Sequence, residues 1–277
     1  MDEYFLRDDL DDDIEWHLKG FDANLRHREL IGKINCFRYL YIEISTITQE
    51  ELYEFRDGKR EDPLRILQFH FDSVIYECNI LQINCLLSGY IGALRSSRWL
   101  MEASSGAFSA IVSPKTLNDK ITSNSMTIDD YVTCLEEYDK RNKPLGQKNL
   151  LQCIGLPKTV EERINYLYHS LSKQIHCSPS TFLRPAKGNL HTRLQYDPKQ
   201  LEQTFEQILQ VFDFCLYVDL KTLVEVLKNN RRSLSLLQYI LKNYFYIFKK
   251  TDSKKQLLFS QYDLPLTCEW LKQQTNS

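Results

Sequence analysis

NILQINCLLSGYIGALRSSRWLMEASSGAFSAIV, residues 79–112, decides the fold class. Apolar residues dominate it, and its only charges are Arg95, Arg98 and Glu102. Upstream, Leu64, Leu67, Phe71, Val74, Ile75, Cys78, Leu81 and Cys85 recur at three- and four-residue spacings, the period of one helical face. Gly89-Tyr90-Ile91-Gly92 then permits a tight turn, and a second helix follows from about residue 90 to 111, before Pro114. Consecutive helices with a short connection become antiparallel neighbours, so residues 64–112 read as an α-hairpin.

Outward from this hairpin the chain keeps the same character. Nine glycines and eight prolines in 277 residues leave long uninterrupted periodic runs. Helices are expected at residues 127–138, 160–176, 200–227 and from Ser233 or Ser235 to 248, with a short one at the C-terminus. Thr159 and Glu162 fit a capping box for the 160–176 helix. Residues 39–46 are rich in aromatic and β-branched side chains and fit either a strand or a helix continuing to Phe55. The expected fold is therefore all-α: a helical bundle built around an antiparallel α-hairpin, with short irregular N- and C-terminal additions. The expected organisation is a helical extension over residues 1–61, a core over 62–227 and a helical appendage over 228–277.

Composition excludes several classes. The formal net charge is -2, so bulk electrostatics drive neither nucleic-acid nor membrane binding. Within residues 79–112 the longest charge-free segment, residues 79–94, falls short of the roughly 20 residues that span a bilayer. Eight scattered cysteines form no CxxC pair or zinc spacing and sit mostly in apolar runs, as reduced thiols do. The N-terminus lacks a basic segment followed by an apolar one, so no secretory signal is read and a cytoplasmic location is expected. No Gly-rich phosphate loop, G-x-S-x-G or H-E-x-x-H occurs, and no cofactor or metal is expected.

Two helices carry the candidate site. On a helix of about 100° per residue, Arg95, Arg98 and Glu102 fall within about 60°. A helix apolar around most of its circumference is buried, and charges on it need partners. The 162–176 segment offers them: Glu162, Tyr166, His169, Lys173 and His176, spaced four, three, four and three, form one polar stripe opposite Ile164, Leu167, Leu171 and Ile175. Facing the first helix, this stripe is expected to bring Glu102 to Lys173, the arginines to Glu162 and the histidines beside guanidinium groups. Neighbouring cations favour the neutral imidazole, the form a general base needs. The bland alternative is a structural ion network under an ordinary polar helix face.

The pattern GYIGALRSSRWLMEASSGAF (residues 89–108), followed by YLYHSLSKQIHCSP (166–179), resembles a group of prokaryotic, notably archaeal, helical proteins. These are themselves similar to HEPN-type domains, helical bundles found as ribonucleases in defence and toxin–antitoxin systems. Arg163 and His169 fit the R-x4–6-H signature, whereas the L-S-K-x-x-H segment points to Lys173 and His176. The resemblance implies metal-independent RNA cleavage, a homodimer and an antitoxin-like or regulatory protein partner. Arg163, His169, His176 and Lys173 would be catalytic, and Arg95, Arg98, Glu102, Tyr166 and Glu162 would support the site. A non-catalytic interaction module is the alternative, with the same cluster as structure. RNA contact would draw on Arg26-His27-Arg28, Arg231-Arg232 and the aromatic-basic run at residues 244–250.

Overall fold

The computed structural model describes residues 25–54, 61–87, 89–112, 151, 154–175, 197–248 and 258–276. Seven α-helices are formed among these: α1 Leu25–Glu54, α2 Glu61–Leu86, α3 Tyr90–Val112, α4 Lys158–Ile175, α5 Pro198–Leu227, α6 Arg231–Tyr244 and α7 Pro265–Asn276. No strand occurs among the described residues. The one extended contact is a parallel bridge between Phe245 and Phe259. The all-α expectation is met. Residues 39–46 belong to the single 30-residue helix α1, so their strand alternative falls: Phe37, Tyr41 and Ile44 recur at helical spacing and are buried. The expected 127–138 helix lies outside the described residues.

The α2–α3 hairpin forms as expected. Gly89 donates to the Asn84 carbonyl at 2.7 Å and accepts from Ala93 at 3.0 Å, so it closes one helix and opens the next. Gly92 is needed for close approach, since a Cβ there would lie 2.3 Å from Asn84 Oδ1.

The central helix is α5, which corrects the expectation that residues 79–112 occupy that place. All ten residues from Val211 to Leu220 are buried, and α5 packs against each of the other helices in the bundle, most heavily α3. By contrast α3 keeps an outward edge of Ile91, Arg95 and Trp99, one helical turn apart. Four small serines (Ser96, Ser97, Ser104 and Ser105) are buried on α3.

One core runs through every helix. Leu30, Ile34 and Phe37 of α1 join it, as do Leu237 and Ile240 of α6 and Cys268 of α7. Helices drawn as the N-terminal extension and the C-terminal appendage thus share one interior with the 62–227 helices. Phe37 and Phe212 stack in its middle, with ring centroids 3.8 Å apart.

Polar caps set the helix ends. Asp197 caps α5, its Oδ1 accepting from the Lys199 and Gln200 amides, and Pro198 takes the first helical position. Asn230 caps α6 through the Arg232 and Ser233 amides, in place of Ser233 or Ser235. Its side-chain amide also reaches buried Glu51, which Ser233 Oγ contacts too, so the cap ties α6 to α1. Helix α4 opens at Lys158 with Pro157 accepting from Val160 and Glu161, which puts Thr159 inside the first turn and not at the expected cap. Buried Asp213 of α5 accepts from the Leu266 and Thr267 amides and so opens α7. Burial raises its carboxyl pKa, and these hydrogen bonds work in the other direction.

Candidate functional site

Helices α3 and α4 pack side by side, the pairing expected from their polar residues, but the residues that meet are different. Arg98 Nε donates to Glu102 Oε1 at 2.9 Å, and Arg98 Nη2 donates to the Tyr168 hydroxyl at 2.9 Å. The Tyr168 hydroxyl in turn donates to Glu102 Oε1 at 2.7 Å. The Arg98 guanidinium carbon lies 5.0 Å from the centre of the Tyr168 ring. The cluster is half-buried. Burial alone would lower the Arg98 pKa, and Glu102 and Tyr168 together outweigh it and raise it. Burial and the bond to Glu102 raise the Tyr168 phenol, with Arg98 pulling against them. At neutral pH the arginine is charged, the phenol is protonated and the carboxylate oxygen Oε1 takes both bonds.

The predicted stripe turns outward. Glu162, Arg163, Tyr166, His169 and Lys173 are all exposed, and so is Arg95. Among the described residues His169 makes an edge-on ring contact with its neighbour Tyr168 and no hydrogen bond. Where contacts of Glu102 with Lys173, of the arginines with Glu162 and of His169 with guanidinium groups were expected, the partner that α4 brings to Arg98 and Glu102 among the described residues is Tyr168. The reason is amphipathic geometry: α4 seats Ile164, Leu167 and Leu171 in the core, which rotates its polar stripe to the far side. Tyr168 lies within that apolar sector, one turn from Ile164 and from Ser172. This position is the sequence signal that could have singled it out. His176 lies outside the described residues.

A second polar cluster lies in the centre of the bundle. Asp219 of α5 accepts from the Tyr41 hydroxyl of α1 at 2.5 Å and the Ser104 hydroxyl of α3 at 3.0 Å, both on Oδ2. His70 Nε2 of α2 lies 3.0 Å from Oδ1. All four side chains are buried. Burial, and then the Asp219 charge, push the Tyr41 phenol well above its ordinary value. The carboxylate sits between serine and histidine, so Ser104 is not hydrogen-bonded to the imidazole that would have to deprotonate it. The carboxylate joins four helices. The sequence signal was present in VFDFCLYVDL (residues 211–220), where Asp213 and Asp219 interrupt an apolar run.

The other basic candidates divide. Arg26 is held by Glu202 and Glu29 and lies over the Phe205 ring at 3.9 Å, and His27 is buried with Nε2 at 2.7 Å from the Cys85 carbonyl. Tyr244 and Phe245 are core residues, which removes them as base-stacking platforms. Arg231 and Arg232 remain on the surface. Among the described residues no group of three or more His, Cys, Asp and Glu side chains could hold a metal ion. No described helix is long and apolar enough to cross a membrane. Compared with family models, curated proteins and solved structures, the chain matches none of them.

Proposed function

We propose that this chain is a non-catalytic helical module, a regulatory or interaction protein, in which the Arg98–Glu102–Tyr168 cluster is structural and the outer face of α4 is the binding surface. One observation carries this: the arginine, carboxylate and phenol that could do chemistry are bonded to one another across α3 and α4, while the exposed His169 imidazole touches this cluster only through an edge contact with the Tyr168 ring. A general base needs a positioned partner within hydrogen-bond reach. The α4 face instead offers Arg163, Tyr166, His169 and Lys173 side by side, a mix of cation and aromatic suited to a partner's surface.

A second reading, the HEPN-like ribonuclease, draws support from the exposure of Arg163, His169 and Lys173 on one helix, where RNA or a second copy could reach them. There the histidine would take the 2′-hydroxyl proton or protonate the leaving oxygen, and the arginine would stabilise the charged phosphorane. Incubation of the purified protein with structured and single-stranded RNA in EDTA separates the two. The module leaves RNA intact. A ribonuclease cleaves it and loses that cleavage in His169→Ala or His176→Ala with the melting temperature unchanged.

A further inference from the structure

Helices α1 and α2 run antiparallel, with Arg38 bonded to Asn79, Ser45 to Asp72 and Thr48 to Gln68 along their seam. Both turn their core residues inward, Phe37, Tyr41 and Ile44 from one and Phe71, Val74 and Cys78 from the other. Their outer face has the composition of an interface. Six large apolar side chains there are between 39% and 81% exposed: Tyr39, Ile42 and Tyr53 on α1, and Phe69, Tyr76 and Ile83 on α2. The exposed charges described on the two helices are Arg28, Glu50, Arg65 and Asp72, with no exposed lysine among the described residues. Aromatic side chains with few charges mark the buried part of a protein interface, where lysine is depleted. At about 200 Å² for a fully exposed side chain of this size, the six offer roughly 700 Å². That exceeds the ~300–600 Å² of a typical monomer's largest apolar patch and approaches the ~800 Å² that each partner contributes to a stable complex.

We propose that the occupant of this face is a second copy of the chain, docked so that α1 lies antiparallel on α1 and α2 antiparallel on α2 about a two-fold axis. The two stripes are self-complementary. On α1, Tyr39, Ile42, Thr46, Gln49 and Tyr53 are all exposed and follow one another at three, four, three and four residues, the spacing of a helix–helix seam. On α2, Phe69, Tyr76 and Ile83 are seven apart. The seam bonds set Tyr76 level with Tyr41, so both stripes centre on one level, between Tyr39 and Ile42. An axis across the face at that level brings Tyr39 against the second copy's Ile42, Tyr76 against the second copy's Tyr76 and Phe69 against the second copy's Ile83. Two antiparallel hairpins stacked in this way make a four-helix bundle across the axis.

Charge favours the same register. Arg28 and Glu50 are exposed towards opposite ends of the α1 stripe, and the two-fold brings Arg28 within about one helical turn of the second copy's Glu50. Asp72, level with Ser45 on the seam, comes within about one turn of the second copy's Arg38. Each pairing occurs twice. Opposite charges at positions that the axis exchanges are what an isologous contact requires. Helix α4 packs on α3 and α5, away from this face, so the proposal does not rest on the binding surface proposed for α4.

Sedimentation velocity of the full chain tests this at about 1–100 µM, where an interface of this size associates even when weak. The wild type is expected to be a dimer. Ile42→Glu with Tyr76→Glu is expected to be monomeric at every concentration, with the helical circular dichroism of the wild type, because both positions are open. Glu50→Arg is expected to weaken the dimer about tenfold, since it turns two attractive pairs into repulsive ones. Arg28→Glu added to the same chain is expected to restore it. A wild type that stays monomeric throughout, a dimer that survives the paired glutamates, or a double reversal no tighter than Glu50→Arg overturns the proposal.

Discussion

The hydroxyl of Tyr168 donates to Glu102 at 2.7 Å and accepts from Arg98, so one phenol closes an ion pair formed within α3 and fastens it to α4. Tyr168→Phe keeps the ring and its contact with the guanidinium but removes both bonds. The expected loss is about 1 kcal/mol, since the cluster is partly open to water and its charges can rehydrate. Urea denaturation of wild type, Tyr168→Phe, Glu102→Gln and the double variant checks it. A coupling energy between residues 102 and 168 of about 0.5 kcal/mol or more is expected.

Asp219 is the larger dependency. Replacing it by leucine leaves the Tyr41, Ser104 and His70 donors buried without an acceptor, with an expected cost of about 3–5 kcal/mol or failure to fold. Asp219→Asn retains one oxygen for Tyr41 and Ser104 and presents its amide to His70, whose other tautomer accepts. Its loss is expected to be clearly smaller. Equal losses in the two variants, read from denaturant midpoints, would show that the carboxylate does not organise the cluster.

Alkaline pH should weaken the fold. Burial raises the Cys36, Cys85 and Cys268 thiols to about 12, Cys78 higher still, and Cys215 well above its ordinary value. An unfolded thiol ionises near 8.5. Above that pH the native state keeps protons that the unfolded state has released, so stability falls as pH rises from about 8.5 towards 12. Each thiol contributes a slope of about 1.4 kcal/mol per pH unit. Urea midpoints at pH 7, 9 and 10 measure the decline. Cys85→Ala, although less stable at pH 7, should show a shallower slope.

The α6 cap couples to α1. Asn230→Ala removes the acceptor for two amides and the donor to Glu51, and is expected to cost about 1–2 kcal/mol. Asn230→Asp keeps the cap but sets a second carboxylate against Glu51. It should therefore lie between alanine and wild type at pH 7 and recover towards wild type as pH falls through the carboxylate range, measured by thermal melts.

Helix class and most helix positions were legible because apolar residues repeat at three and four over long runs, as at Leu64 to Cys85. Four features were not. The centrality of α5 is a matter of how many neighbours surround it, and VFDFCLYVDL was legible as apolar without indicating that every side is covered. The orientation of α4 was misjudged because the polar stripe was matched to the charges of α3, whereas burial of Ile164, Leu167 and Leu171 decided the rotation. Tyr168 was passed over because a tyrosine within an apolar stripe looks like packing, yet its hydroxyl is what the Arg98–Glu102 pair required. The Tyr41–His70–Ser104–Asp219 cluster draws one residue from each of four helices, and no local spacing relates them.

In the proposed function the polar clusters hold helices together and run no reaction. Its most direct test is RNA cleavage by the purified full chain in EDTA, at protein concentrations spanning any monomer–dimer equilibrium. Intact RNA at every concentration is the predicted result. Cleavage that disappears in His169→Ala or His176→Ala, with the melting temperature unchanged, would contradict it.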